Sequence, residues 1–189
     1  MKNEITGMKL RLIVMNFLQF AVWGAYLTSM GTYLFNIGLG AKIGLFYAMQ
    51  GIVSLFMPAI MGIIADRWVP AQKLYGFCHF MAAVFMVAAG WYGYVDGEAV
   101  NFGTLFTFYS LSVAFYMPTL ALTNSVAYTA LDKVKLDPVI AFPPIRIFGT
   151  IGFICSMLLT DILGFQNNYM QFFSCACFGC LLYTSDAAD

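Results

Sequence analysis

Long apolar stretches alternate with short polar ones along almost the whole chain. The apolar stretches cover about residues 12–35, 43–65, 74–95, 102–125 and 145–165, and a further one begins at residue 169. A helix needs about 20 residues to cross the hydrocarbon core of a bilayer, and each complete stretch is close to that length. Because backbone groups in lipid must satisfy their own hydrogen bonds, the pattern predicts six membrane-spanning helices, the last of them incomplete.

The composition agrees with this pattern. Hydrophobic residues make up 61% of the 189 residues, and charged residues only 10%. A soluble domain of this length could not bury so much apolar surface. The chain is therefore predicted to be an all-α membrane protein without a soluble domain. The sequence has no basic patch of the kind that would suggest a nucleic acid as partner.

The basic residues are distributed unequally between the two sides of the predicted bundle. Only Lys42 lies on one side, together with Asp96 and Glu98. The other side carries Lys2, Lys9, Arg11, Arg67, Lys73, Lys133, Lys135 and Arg146. Cytoplasmic loops carry an excess of lysine and arginine, so the N-terminus is predicted to be cytoplasmic.

A double proline precedes an arginine at the start of the fifth apolar stretch. Proline suits the first turn of a helix, which predicts a helix beginning at Pro143 or Pro144. Arg146, Thr150 and Phe153 then follow at i, i+4 and i+7 on one helix face. A charge inside a bilayer costs at least about 2.5 kcal/mol. The face is therefore predicted to border a wet cavity and to suit a ligand with hydroxyls and a flat ring.

Each of these three residues also has a purely structural interpretation. Arg146 could be a flanking cation whose side chain extends to the headgroups. Thr150 could bond to its own helix, and Phe153 could serve only in packing. Their shared face favours the ligand-binding interpretation.

The first helix carries a second polar and aromatic stripe. Asn16, Gln19, Trp23 and Tyr26 recur at helical spacing. Such a stripe lines a pathway or bonds helix to helix, and packing is the commoner role for any one residue. Large amides are costly facing lipid, so Asn16 and Gln19 are the better candidates for lining a substrate pathway.

The loop after the second stretch carries the sequence Asp66-Arg67 behind a glycine and ahead of Lys73. It resembles the loop signature of the major facilitator superfamily. Asp66 and Arg67 would then act as a charge latch that pairs with a neighbouring element in one conformation only. An ordinary short basic loop is the alternative.

Titratable and nucleophilic residues show no catalytic pattern. His79 is a hydrogen-bonded packing residue or, less favoured, a proton-coupling group. Cys175, Cys177 and Cys180 lie in an apolar helix without further ligands, which argues against a metal site. No Ser/His/Asp set and no phosphate-binding loop occurs. The sequence therefore predicts no enzyme, no cofactor and no metal.

The last ten residues resemble the translation of a sequencing adapter. They read Cys-Leu-Leu-Tyr-Thr-Ser-Asp-Ala-Ala-Asp at positions 180–189. Such a segment is excluded from fold reasoning. We therefore expect residues 1–179 to form the helix bundle, and the chain to be a fragment of a longer reading frame.

Four segments together resemble the nucleoside:proton symporter family of the major facilitator superfamily, which contains the bacterial nucleoside permeases. They are Phe17-Leu18-Gln19-Phe20, Phe56-Met57-Pro58-Ala59, Tyr116-Met117-Pro118-Thr119 and Phe142-Pro143-Pro144-Ile145-Arg146, which continues through Phe153. The resemblance implies the N-terminal six-helix half of a transporter with two such halves, in a bacterial inner membrane.

The resemblance also implies a site and its ligands. Arg146 and Thr150 would donate hydrogen bonds to ribose hydroxyls or a base carbonyl, and Phe153 would pack against the base. Protons would be co-transported, and the acids that bind them would lie in the missing C-terminal half. A carrier of another small polar solute, such as a sugar, stays open, as does a membrane-embedded enzyme or structural subunit.

Overall fold

The computed structural model describes residues 2–187, with side chains for residues 4–97 and 99–182. That range contains seven α-helices, joined by short turns: α1 (Lys2–Gly24), α2 (Met30–Asn36), α3 (Ile43–Arg67), α4 (Ala71–Asp96), α5 (Phe102–Lys133), α6 (Pro138–Ile162) and α7 (Met170–Ala187). Single 3₁₀ turns lie at Gly40–Lys42, Gly97–Ala99 and Phe165–Asn167.

Five of these helices are long and apolar enough to cross a membrane. They are α1, α3, α4, α5 and α6, and the apolar part of α7, Met170–Leu182, is shorter. The predicted all-α, multi-pass membrane fold is confirmed. Five full spans and the shorter α7 correspond to the six predicted apolar stretches. Of the predicted adapter segment, the side chains of residues 183–189 lie outside the described residues, and its origin stays a prediction.

The length of the first apolar stretch predicted a single helix, but the structure divides this stretch between two helices. α1 ends at Gly24, and five residues in turn conformation separate it from α2. The Ser29 hydroxyl lies 3.2 Å from the Ala25 carbonyl and 3.0 Å from the side-chain oxygen of Gln171 in α7. These contacts fix the break against another helix, which hydropathy does not reveal.

The prediction that a helix begins at Pro143 or Pro144 was wrong. α6 begins at Pro138, and the Asp137 carboxylate caps it by accepting a hydrogen bond of 2.9 Å from the Val139 amide. An aspartate followed by proline combines a good N-cap with the position where a missing N–H costs nothing. The double proline therefore falls inside the helix.

The helices follow one another around the bundle in a simple order. α3 packs on α5, α5 on α4, α4 on α7, α7 on α1, and α1 on α6. α3 and α6 end this series and are the least buried of the five long helices. Their outer faces expose apolar side chains such as Leu55, Phe56 and Ile147.

Glycine allows α1 and α6 to touch at the backbone. A Cβ atom on Gly152 would overlap the carbonyl oxygen of Phe17, and one on Gly24 would overlap that of Phe153. One turn further along α6, the Ser156 hydroxyl donates a 2.7 Å hydrogen bond to the Ala21 carbonyl. Small residues at helix contacts permit such close approach in membranes. This contact places the α6 face beside the aromatic residues of α1.

Candidate functional site

Arg146 lies over an aromatic ring of α1. Its guanidinium carbon is 3.9 Å from the centroid of the Phe20 ring, and the side chain is half-buried. A guanidinium over a ring is attracted by the negative face of the π-system. Within residues 4–97 and 99–182, no side chain forms an ion pair or hydrogen bond with Arg146. Its five N–H donors are therefore free to bind a ligand.

A glycine makes room for this pair. A Cβ atom on Gly149 would lie 2.7 Å from Phe20 Cδ2 and 2.9 Å from Arg146 Nη1. Real Cβ atoms do not approach other atoms so closely. The absence of a side chain at position 149 therefore allows the guanidinium to lie over the ring.

Thr150 presents an open hydroxyl one turn after Arg146. The residue is exposed, and its hydroxyl bonds to none of the residues that the structure describes. Other threonines differ, since the Thr123 hydroxyl donates to the Thr119 carbonyl four residues earlier at 2.7 Å. The alternative that Thr150 bonds to its own helix is thus not realised. The hydroxyl can donate and accept.

Phe153 belongs to a group of rings that we call the aromatic wall, formed by Phe20, Trp23 and Phe153. Trp23 meets Phe153 edge to face, with centroids 6.3 Å apart and ring planes at 85°. The centroid of the Trp23 ring also lies 6.3 Å from that of Phe20. Edge-to-face pairs are the favoured geometry of aromatic rings. The aromatic wall thus adjoins both Arg146 and the helix face of Thr150.

A chain of side-chain hydrogen bonds holds the indole of Trp23. Its Nε1–H donates to Gln50 Oε1 at 3.1 Å, and Gln50 Nε2 donates to the Tyr109 hydroxyl at 2.6 Å. Gln50 is buried on α3. Sequence reasoning placed Trp23 in a polar stripe but missed Gln50. A glutamine inside an apolar stretch is costly without partners, and that cost was the signal available.

We expect Gln50→Leu to loosen Trp23. The half-buried Trp23 indole and the buried Tyr109 hydroxyl would each lose their partner, and a buried unsatisfied group costs about 1–3 kcal/mol. Trp68 and Trp91 are exposed, so replacing both by phenylalanine leaves Trp23 as the only tryptophan. Its fluorescence anisotropy should fall in Gln50→Leu and stay unchanged in Gln72→Leu, at an exposed position of α4. Equal anisotropy in both variants would contradict this role of Gln50.

Gln19 and Asn16 lie in the interior. Gln19 is fully buried, and its Nε2 donates to the Thr119 hydroxyl at 2.8 Å. Its Oε1 accepts from the Tyr75 hydroxyl and lies equally close to His79 Nε2, both at 2.7 Å. The amide therefore joins α1, α4 and α5, and we call this group the Gln19 hub.

Asn16 is one turn before Gln19 and is also fully buried. Its Nδ2 donates to the Leu12 carbonyl at 2.9 Å, whereas its Oδ1 has no partner among the described residues. That oxygen is an acceptor left over for another group. A contact of Asn16 or Gln19 with substrate stays a prediction.

The predicted latch residues lie at the end of α3. Asp66 and Arg67 are exposed, and neither forms an ion pair with a side chain that the structure describes. α4 begins four residues later, at Ala71. A partner for the latch would therefore have to come from another element or another conformation, and this role also stays a prediction.

The known proteins that this chain resembles belong to one kind, nucleoside carriers. The family model of the Nucleoside H+ symporter matches residues 6–185. The xanthosine permease of Escherichia coli strain K12 is 39% identical over 166 residues, which are 87% of this chain and 38% of that protein. The nucleoside permease NupG of the same organism is 38% identical over 179 residues, covering 93% of this chain and 41% of that protein.

The crystal structure of the nucleoside transporter NupG resembles this chain over nearly its whole length. It superposes with a TM-score of 0.88 at 37% identity, over 96% of this chain and 44% of that one. The likeness confirms the predicted fold, that of the N-terminal half of a major facilitator superfamily transporter. The chain spans about two-fifths of the length of the curated relatives it matches.

Proposed function

Because the chain belongs to the Nucleoside H+ symporter family, we propose that it forms one half of a carrier that moves nucleosides together with protons. The carrier lies in a bacterial inner membrane, with the N-terminus and the loop around Asp66 in the cytoplasm. A second half completes the central cavity, and the two halves rock about a site near the midplane. No catalytic step and no cofactor are part of this proposal.

The observation that carries the proposal is a set of unused hydrogen-bond donors beside a wall of rings. A nucleoside combines sugar hydroxyls, base carbonyls and a flat aromatic ring. Arg146 and Thr150 supply donors for the oxygens, and the Thr150 hydroxyl also accepts. The Phe153 ring of the aromatic wall packs against the base. Asn16, through its free Oδ1, and Gln19 contribute from the interior side.

Proton coupling needs a titrating group within the membrane. In the five long helices, the acidic residues that the structure describes are Glu4, Asp66, Asp96, Asp132 and Asp161, all in the terminal turns. Intramembrane carboxylates commonly serve as proton relays. We therefore assign the proton-binding acids to the second half of the carrier. Asp66 and Arg67 act as the latch that closes against it.

A chimera tests the function. Residues 6–179 of this chain replace the corresponding segment of E. coli NupG, in cells without nucleoside uptake of their own. We expect uptake of tritiated uridine that unlabelled nucleosides inhibit and that a protonophore abolishes. Inhibition by free ribose but not by nucleosides would instead favour a sugar carrier. A chimera that reaches the membrane and does not take up uridine would contradict the proposal.

We expect Thr150→Val in this chimera to raise the KM for uridine about two- to tenfold, since one hydrogen bond contributes roughly 0.5–1.5 kcal/mol. Thr150→Ser keeps the hydroxyl and should retain most of the uptake. Thr129→Val is the matched control, because the Thr129 hydroxyl is also exposed but donates to the Ser125 carbonyl at 2.9 Å. Equal effects at positions 129 and 150 would exclude a substrate contact for Thr150.

A further inference from the structure

A small cavity lies in the interior behind the Gln19 hub. Its volume is about 10 Å³, and helices α1, α4, α5 and α7 all border it. The polar residues of its lining are Tyr26, His79, Ser112, Tyr116 and Cys175. A space of this volume holds about one water molecule.

Two of the lining residues carry polar atoms without a protein partner. The Tyr26 hydroxyl and His79 Nδ1 are buried and bond to none of the described residues. Tyr26 is 1% exposed and His79 0%. Because His79 Nε2 lies 2.7 Å from the Gln19 oxygen, which can only accept, that nitrogen carries the proton. Nδ1 of the neutral ring is consequently an acceptor.

The other two hydroxyls of the lining have used their protons. Ser112 donates to the Ala82 carbonyl at 2.8 Å, and Tyr116 donates to the Gln19 carbonyl at 2.7 Å. Each oxygen keeps lone pairs. The cavity thus offers one free hydroxyl donor, on Tyr26, besides the weak donor of the Cys175 thiol, and several acceptors. A ligand must accept one hydrogen bond, donate two and be no larger than water.

We propose that one ordered water molecule occupies this cavity. It accepts from the Tyr26 hydroxyl and donates to His79 Nδ1 and to the oxygen of Ser112 or Tyr116. Three hydrogen bonds are typical of a buried water, and leaving the atoms unpaired would cost free energy. A metal cation does not fit, because only His79 and Cys175 in this lining are of the common metal-ligating types and the free Tyr26 proton needs an acceptor. This inference is independent of the transported substrate.

The water extends the Gln19 hub to the break between α1 and α2, where Tyr26 lies. It fixes His79 as neutral, with Nε2 protonated. His79 then ties α4 to α1 by donating from Nε2 to Gln19, and its Nδ1 accepts from the water. Protonation of Nδ1 would require that the water stop donating to it, whereas the bond from Nε2 to Gln19 would remain.

The sign of a stability change tests the proposal. Tyr26→Phe removes a hydroxyl that the water satisfies, so the melting temperature should fall, by about 2–4 °C per lost hydrogen bond. Tyr33→Phe is the matched control, since the Tyr33 hydroxyl is also buried without a partner among the described residues but does not line the cavity. Removing a truly unsatisfied hydroxyl should raise or preserve the melting temperature. The measurement is the thermal loss of the monodisperse peak of a fluorescent fusion in detergent. A rise in Tyr26→Phe, or an equal fall in both variants, would overturn the proposal.

A spectroscopic readout does not depend on the melting temperature. The chain contains one histidine, so nitrogen-15 labelling of histidine with a tag free of histidine gives the signals of one ring. In lipid, Nδ1 should resonate as a hydrogen-bonded acceptor, and Tyr26→Phe should move it toward the free position. A free Nδ1 that Tyr26→Phe does not change would show that no water is bound there.

Discussion

Replacing Arg146 with alanine should lower uridine uptake by the NupG chimera at least about 100-fold. A hydrogen bond from a charged group contributes about 1.5–3 kcal/mol, and the guanidinium can form two of them with a nucleoside. Arg146 has no ion pair or hydrogen bond to the described residues, so this variant removes the ring contact with Phe20 but no polar contact to them. The decrease should therefore reside in binding, with normal amounts of protein in the membrane.

Two further variants separate charge from geometry. Arg146→Lys keeps the charge but loses the planar fork and its stacking. We expect its uridine uptake to lie between that of Arg146→Ala and that of the chimera with Arg146. Phe20→Leu keeps the guanidinium and removes the ring beneath it. It should raise the KM less than Arg146→Ala does. Unchanged uptake in Arg146→Ala would refute the assignment of the site.

Aqueous labelling checks the same face without a transport assay. Single cysteines at positions 146, 150 and 153, in a chimera without other cysteines, should react with a water-soluble thiol reagent, and uridine should protect them. Ile147 is 59% exposed on α6. We expect its side of the helix to border lipid, so Ile147→Cys should stay unlabelled. If all three site positions proved unreactive, the α6 face would border acyl chains.

The sequence reveals the spanning helices because lipid permits few alternatives. A stretch of about 20 apolar residues must be helical there, and α3 through α6 agree with this rule. Helix ends are less determined. Asp137 and Pro138 form a better start than the double proline, and the break after Gly24 depends on contacts of Ser29 with α7.

The site, like the helices, has features that the sequence predicts and features that it does not. Helical spacing alone predicted that Arg146, Thr150 and Phe153 share a face of α6, and the structure leaves the donors of the first two without partners. The partners on other helices depend on pairs far apart in the chain. Gln50 bonds Tyr109 across 59 residues, and Gln19 bonds Thr119 across 100. No local pattern specifies such pairs, and so the sequence left open whether Gln19 lines a pathway or packs.

Adding one methyl group at Gly152 should disrupt the whole site. The Cβ atom of Gly152→Ala would overlap the Phe17 carbonyl oxygen, and a backbone atom cannot rotate away. α6 must therefore move off α1. Overpacking of this kind costs about 1–3 kcal/mol. The shift would also separate Phe153 from Trp23 and Arg146 from Phe20, so we expect uptake to fall about tenfold or more.

Gly51→Ala is the matched control for this variant. Gly51 lies within α3, and a Cβ atom there would meet nothing within 4 Å. Alanine is a better helix former than glycine by about 1 kcal/mol, so this control should raise the melting temperature slightly and preserve uptake. The same chemical change thus has opposite expected signs at the two positions. If Gly152→Ala behaved like Gly51→Ala, the backbone contact between α1 and α6 would not be what holds the guanidinium and the aromatic wall together.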